Sequence, residues 1–168
     1  MKALVIYRSK TGFSERYAQS IARELNARLI NMKEVTVELL RDYDLIIYGA
    51  GIYAGIIAGY KKIRKMLAKA NKEKLVLFAV GAAPKEAYAT IERMWRLNIK
   101  ESELKTLPHF YLQGGIAYER LGVFKRSVLK RFMSVAYKKD SKHDLTKSFD
   151  NVTAGALIPL LRYLNINK

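Results

Sequence analysis

A doubly wound α/β domain is the architecture that this sequence predicts: a five-stranded parallel sheet in the order 2-1-3-4-5, with helices on both faces. Apolar, β-branched runs at residues 3–7, 45–48 and 75–80 have the continuous character of strands buried on both sides. Between them apolar residues recur at helical spacing, and strands that alternate with helices imply a parallel sheet covered on both faces. The chain has 168 residues, 50% of them hydrophobic, which suits a single domain over residues 1–168 with a sizeable core.

The elements follow in order. The first strand, residues 3–7, is bounded by Ser9 and Gly12. Ala18, Ile21, Ala22 and Leu25 then mark one helical face, with Glu15, Arg16, Arg23 and Glu24 off it. Residues 28–31 read as a short second strand and residues 36–40 as a short helix. The third strand, residues 45–48, runs into Gly49, Gly51 and Gly55. Tyr60, Ile63, Leu67 and Ala70 form the next helical face, with Lys61, Lys62, Arg64, Lys65 and Lys69 around it. The fourth strand, residues 75–80, ends at Gly81, and Ala87, Ile91, Met94 and Trp95 mark a fourth helix. The fifth strand, residues 110–112, leads into Gly114 and Gly115. A basic helical segment is expected at about 120–140. A last helix around 146–165 is expected to be kinked or restarted by Pro159.

Composition removes several chemistries. There is no cysteine, so disulfides, thiolate zinc sites, iron–sulfur clusters and cysteine nucleophiles are excluded. That usage suits a reducing compartment, and a cytoplasmic location is expected. The two histidines, His109 and His143, lack ligand-type spacing, so no metal site is expected. No segment is long and apolar enough to span a membrane, and the N-terminus lacks a signal-peptide pattern. The net charge is +16, which attracts polyanions. It is unevenly spread: +2 over residues 1–60, +7 over 61–120 and +7 over 121–168.

In a sheet of this order ligands sit beyond the carboxyl ends of the strands, where the strand order reverses. Three loops lie there. The first, Arg8-Ser9-Lys10-Thr11-Gly12-Phe13-Ser14, offers three hydroxyls, a flexible glycine and the free N–H groups of a first helical turn, a combination suited to a phosphate monoester. It is neither a Walker loop nor a dinucleotide fingerprint, and a plain helix cap is the alternative. The second loop, Gly49-Ala50-Gly51-Ile52-Tyr53-Ala54-Gly55, lets the backbone approach a flat ligand, with Tyr53 placed to stack on a ring. A tight turn with a surface tyrosine is the other reading. The third, Gly81-Ala82-Ala83-Pro84-Lys85-Glu86-Ala87-Tyr88, has small residues that leave room beside a strand end. Its Tyr88 is expected to pack within a helix rather than flank a ligand.

Together these loops resemble those of the flavodoxins. Residues 9–14 look like the phosphate loop of that family, and residues 43–55 like its third strand and second flavin loop. The resemblance implies a flavodoxin-like fold and bound FMN, with Ser9, Lys10, Thr11, Gly12, Phe13, Ser14, Ala50, Gly51, Ile52, Tyr53, Ala54, Gly81, Ala82 and Ala83 as the cofactor-binding positions. Phe13 and Ser14 stand where the family usually has an Asn and a Thr, so position 14 keeps a hydroxyl. Gly114-Gly115-Ile116-Ala117-Tyr118 and the basic segment after it resemble the flavodoxin-type menaquinone-dependent protoporphyrinogen dehydrogenases.

In the basic segment Leu121, Phe124, Val128, Leu129, Phe132 and Val135 share a helical face. Such a helix either covers the sheet or lies in an anionic membrane interface at the inner face of the membrane. Nucleic acid is not expected, because no recognition motif is present and aromatics do not interleave with the basic residues. The expected function is FMN-based electron transfer, with redox proteins or a quinone as partners. The alternatives are a quinone-linked protoporphyrinogen dehydrogenase-like flavoenzyme and a flavin-free module that binds an anionic partner. No catalytic acid or base is visible.

Overall fold

The computed structural model describes residues 2–72, 74–117, 131 and 147–164. In chain order the elements are β1 (Ala3–Arg8), α1 (Phe13–Leu25), β2 (Arg28–Asn31), α2 (Val37–Arg41), β3 (Leu45–Tyr53), β4 (Ile56–Ile57), α3 (Tyr60–Lys69), β5 (Leu75–Gly81), α4 (Tyr88–Asn98), β6 (His109–Gln113), β7 (Gly115–Ile116), β8 (Phe149–Asp150) and α5 (Ile158–Tyr163). The parallel sheet runs β2-β1-β3-β5-β6, which is the expected order 2-1-3-4-5. Two features were not expected: β4 adds antiparallel to β3, and β7 pairs with β8 in a separate two-stranded ribbon.

The period of two along each strand explains why the strands read as continuous apolar runs. In β1, Leu4 and Ile6 enter one core and Val5 the other. In β3, Ile46, Tyr48 and Ala50 face the first core, Leu45 and Ile47 the second. In β5, Leu75, Leu77 and Ala79 alternate in the same way with Val76, Phe78 and Val80. The first core is closed by α2, α3 and α4 through Leu40, Ile63, Leu67, Met94 and Trp95. The second is closed by α1 and α5 through Tyr17, Ala18, Ile21, Leu160 and Leu161. Both faces are therefore covered, as a parallel sheet requires.

Several boundaries differ from the sequence reading, each for a physical reason. Thr36 is the cap of α2 rather than its first residue, since its hydroxyl accepts the Leu39 N–H at 3.1 Å. The third strand does not stop at Tyr48. Gly49, Ala50 and Gly51 stay in register with Phe78, Ala79 and Val80 of β5, and Gly49 and Ala50 with Tyr7 and Arg8 of β1. Gly49 is a packing glycine inside the strand: a Cβ there would lie 1.7 Å from the Phe78 ring. Tyr88 opens α4 and is 75% exposed, so it does not pack as expected. The expected helix at 146–165 is β8, a 3₁₀ turn and then α5, with Pro159 in the first turn of α5, where its missing N–H costs nothing. The basic segment at 120–140 lies outside the described residues, apart from Arg131. Among the described residues no helix is long and apolar enough to cross a membrane.

Candidate functional site

The β1–α1 loop is built around an uncapped helix start. Gly12 is the N-cap of α1 at φ 94°, a left-handed conformation that suits glycine, and no side chain caps the helix. The Gly12 N–H is taken by Ser9 Oγ at 2.9 Å, which curls the loop. The N–H groups of the first turn beyond Gly12 are thus left without a side-chain cap, and with the helix dipole they favour an anion. Ser14 is buried. The Phe13 ring points away from the loop and packs on the Gly114–Gly115 backbone, so closely that a Cβ on Gly115 would lie 2.8 Å from its tip. Phe13 therefore brings its backbone to the loop, and its side chain ties the loop to the end of β6.

The expected second loop is mostly strand. Ala50 is fully buried within β3, and the chain turns only at Ala54 and Gly55, with φ 50° and 80°. Positive φ at both central residues is the two-residue hairpin geometry that matches the twist of paired strands. Tyr53 precedes the turn and pairs with Ile56. Its side chain bends back over Gly51 toward the β1–α1 loop, where Lys10 Nζ lies 4.7 Å from its ring centroid. Burial pushes the Tyr53 phenol up from the ordinary tyrosine range, opposed by hydrogen bonds from the Lys10 backbone N–H and the Thr11 hydroxyl and by the Arg8 charge.

The third loop meets the second through Ile52, whose side chain lies beside Gly81. Ala83 is buried, and its carbonyl accepts the Tyr111 hydroxyl at 2.7 Å. The Gly81 carbonyl accepts the Gly114 N–H at 2.8 Å. Hence the structure brings Ser9, Lys10, Thr11, Gly12, Phe13 and Ser14 together with Tyr53 at one end of the sheet, with Ile52 linking them to Gly81, Ala82 and Ala83. Ala54 sits at the hairpin tip, and Ala50 and Gly51 lie in the strand beneath it.

Asn98, outside the sequence reading, and Arg8, which opens the first loop, also shape this end of the molecule. Asn98, the last residue of α4, clamps the hairpin: its Nδ2 donates to the Gly55 carbonyl at 2.7 Å and its Oδ1 accepts the Ile57 N–H at 2.9 Å. Arg8, at the end of β1, passes alongside Gly59 and the Tyr48 hydroxyl. Burial holds the Tyr48 phenol well above the usual range, and the Arg8 charge opposes that shift. A cavity of about 420 Å³ adjoins the β1–α1 loop, lined by Thr11, Phe13, Arg16, Ile116, Phe149 and Asp150. A larger one, about 1020 Å³, opens at the opposite end of the sheet around Leu45, Lys74, Leu75 and Pro108. The topology and the donor groups both favour the loop end, since strand carboxyl ends are where such sheets bind ligands.

Residues 4–143 match the family model described as the flavodoxin domain. An uncharacterized protein of Methanocaldococcus jannaschii is 34% identical over 128 residues, 74% of this chain and 81% of its own. Among solved structures, a flavodoxin from the domain Archaea matches 82% of this chain and 98% of its own at 17% identity and TM-score 0.46. A putative flavoprotein from Bacteroides eggerthii matches 82% of this chain and 99% of its own at 16% identity and TM-score 0.47.

Proposed function

The chain belongs to the flavodoxin domain family, and from that premise we propose that it binds FMN across the β1, β3 and β5 loops and serves as an electron carrier. The observation that carries this reading is the α1 N-terminus: a left-handed Gly12 and no side-chain cap, in a stretch of chain that carries Ser9, Thr11 and Ser14. This donor set fits a phosphate monoester, because hydroxyls and N–H groups can all donate to a dianion. No carboxylate competes among residues 8–14, and Glu15, in the first turn, accepts the Tyr7 hydroxyl instead.

Bound FMN supplies the redox chemistry, exchanging electrons one or two at a time. The chain's own residues do the rest. The loop at 9–14 holds the phosphate. Tyr53 would cover the flavin ring and shield it from water. The backbone of Gly81, Ala82 and Ala83 would border the ring. Lys10 and Arg8 set a positive field at the site, which favours an electron-rich flavin.

Titration of the purified protein with FMN and with riboflavin, followed by visible absorbance and flavin fluorescence, tests the reading. One FMN per chain, with riboflavin bound much more weakly, is expected. No binding of either, or equal affinity for both, would overturn it.

A further inference from the structure

The face of α3 is the most one-sided charge on the described surface. Its ten residues include Lys61, Lys62, Arg64, Lys65 and Lys69 and no acid. Arg64 is paired with Glu103 at 2.5 Å, and on α4 Arg96 is paired with Glu92 and Glu101. Lys61, Lys62, Lys65 and Lys69 are exposed, and among the described residues none of them makes an ion pair. Arg93, one turn before Leu97 on α4, is likewise exposed and unpaired.

α3 and α4 pack on the same core, and two large apolar side chains are exposed in α4 and in the hairpin before α3. Ile56, five residues before Lys61, is 47% exposed, and Leu97, one helical turn after Arg93, is 53% exposed. Leu97 lies against the hairpin turn next to Ile56: a Cβ on Gly55 would meet Leu97 Cδ1 at 3.3 Å. Asn98 ties the hairpin to α4 through the Gly55 carbonyl and the Ile57 N–H, so the pair sits on a fixed platform. Ile56 is also the register partner of Tyr53. A molecule seated on Ile56 therefore lies one strand away from the residue proposed to cover the flavin.

We infer that the surface formed by the β3–β4 hairpin and the exposed faces of α3 and α4 docks an acidic redox protein, with Ile56 and Leu97 at its centre and Lys61, Lys65 and Arg93 on its rim. The inference rests on the FMN reading for its electron-transfer role. An apolar centre within a charged rim is the layout of a transient protein interface, and a cationic rim steers an acidic partner onto it. Two apolar side chains fall short of the continuous amphipathic face that a membrane interface needs. On the described faces of α3 and α4 a single exposed aromatic, Tyr88, stands where nucleic-acid bases would need a row of stacking platforms.

The test uses a plant-type [2Fe–2S] ferredoxin, a small acidic redox protein, as probe. Its affinity for the full chain is measured calorimetrically at low and high salt, with and without FMN. Lys61→Glu/Lys65→Glu/Arg93→Glu should weaken binding at low salt by about tenfold or more, whereas the equally charged control Arg23→Glu/Arg28→Glu/Lys33→Glu changes it by about twofold or less. The uncharged variant Ile56→Ser/Leu97→Ser should weaken it by about fivefold at either salt concentration. Reduction of the FMN-loaded patch variant by ferredoxin should slow in parallel, with its reduction by dithionite unchanged. Equal weakening by both charge reversals would overturn the proposal, because net charge alone would then account for binding. So would absence of ferredoxin binding, including the case where phosphatidylserine vesicles or single-stranded DNA bind through the same residues. If FMN does not bind but patch-dependent ferredoxin binding persists, the docking surface stands and the flavin reading falls.

Discussion

Lys10 Nζ lies 4.7 Å from the centre of the Tyr53 ring. A cation at this range is drawn to the electron-rich face of an aromatic ring, and the contact joins two loops that are 43 positions apart in the chain. The Lys10 N–H and the Thr11 hydroxyl also pull the Tyr53 phenol's pKa down against its burial, so the phenol draws on donors that would serve a phosphate.

Tyr53→Phe should therefore strengthen FMN binding. Releasing two donors from the phenol is worth about 1 kcal/mol, or roughly fivefold in affinity. Tyr53→Ala removes the ring as well and should weaken binding, since aromatic stacking contributes about 0.5–1.5 kcal/mol beyond burial. Fluorescence titration separates the two. Equal weakening by both variants would mean that the hydroxyl is a ligand contact rather than a competitor.

Thr11→Ala should act chiefly on the phosphate. A charge-assisted hydrogen bond contributes about 1.5–3 kcal/mol, so FMN affinity is expected to fall by about tenfold or more while riboflavin affinity hardly moves. A comparable loss for both flavins would place the phosphate elsewhere.

Asn98→Ala should act on the ring side. It removes the bonds to the Gly55 carbonyl and from the Ile57 N–H, each worth about 0.5–1.5 kcal/mol net. Thermal unfolding should shift down by about 2–10 °C in a chain of this size. FMN and riboflavin should both lose affinity by the same factor, the opposite pattern from Thr11→Ala. Unchanged affinity for both would show that the clamp does not position the hairpin for the ligand.

Alkaline pH should destabilise the protein through its buried phenols. Burial is the largest cause raising the pKa of Tyr17, Tyr48, Tyr53 and Tyr60 above the ordinary value of 10.0. Above about pH 10 the unfolded chain releases phenolic protons that the folded chain keeps, so stability falls as pH rises; below that range the contribution is complete. Urea midpoints measured from about pH 8 to 11 should be flat at first and then decline, and Tyr48→Phe should make the decline shallower. A decline of the same slope in Tyr48→Phe would remove Tyr48 from the account.

The sheet was legible in the sequence because its strands are buried on both faces. Leu4, Val5 and Ile6 feed two different cores in succession, and that demand writes a continuous apolar run. Gly49 misled for the converse reason. Its neighbour across the sheet, Phe78, needs the space of a missing side chain, and no local pattern tells such a glycine from one that makes a turn. The β1–α1 loop could be read because its hydroxyls and glycine are contiguous. Asn98 could not: it reads as a polar residue near a helix end, and its partners lie more than 40 positions away. Phe13 departed from the family pattern visibly, but its reason, the glycine backbone at 114–115, follows the edge strand β6 about 100 positions later in the chain.

The β7–β8 pairing brings together positions 33 apart in the chain. Ile116 faces Phe149 and Gly115 faces Asp150 across one antiparallel ribbon, so the exit from β6 and the approach to α5 meet at a single place beside Phe13. The entropic cost of closing a connection grows only with the logarithm of its length, about 0.6 kcal/mol per doubling. A change short of a doubling in the number of residues between Ile116 and Phe149 therefore alters the closure cost of this ribbon by less than about 0.6 kcal/mol.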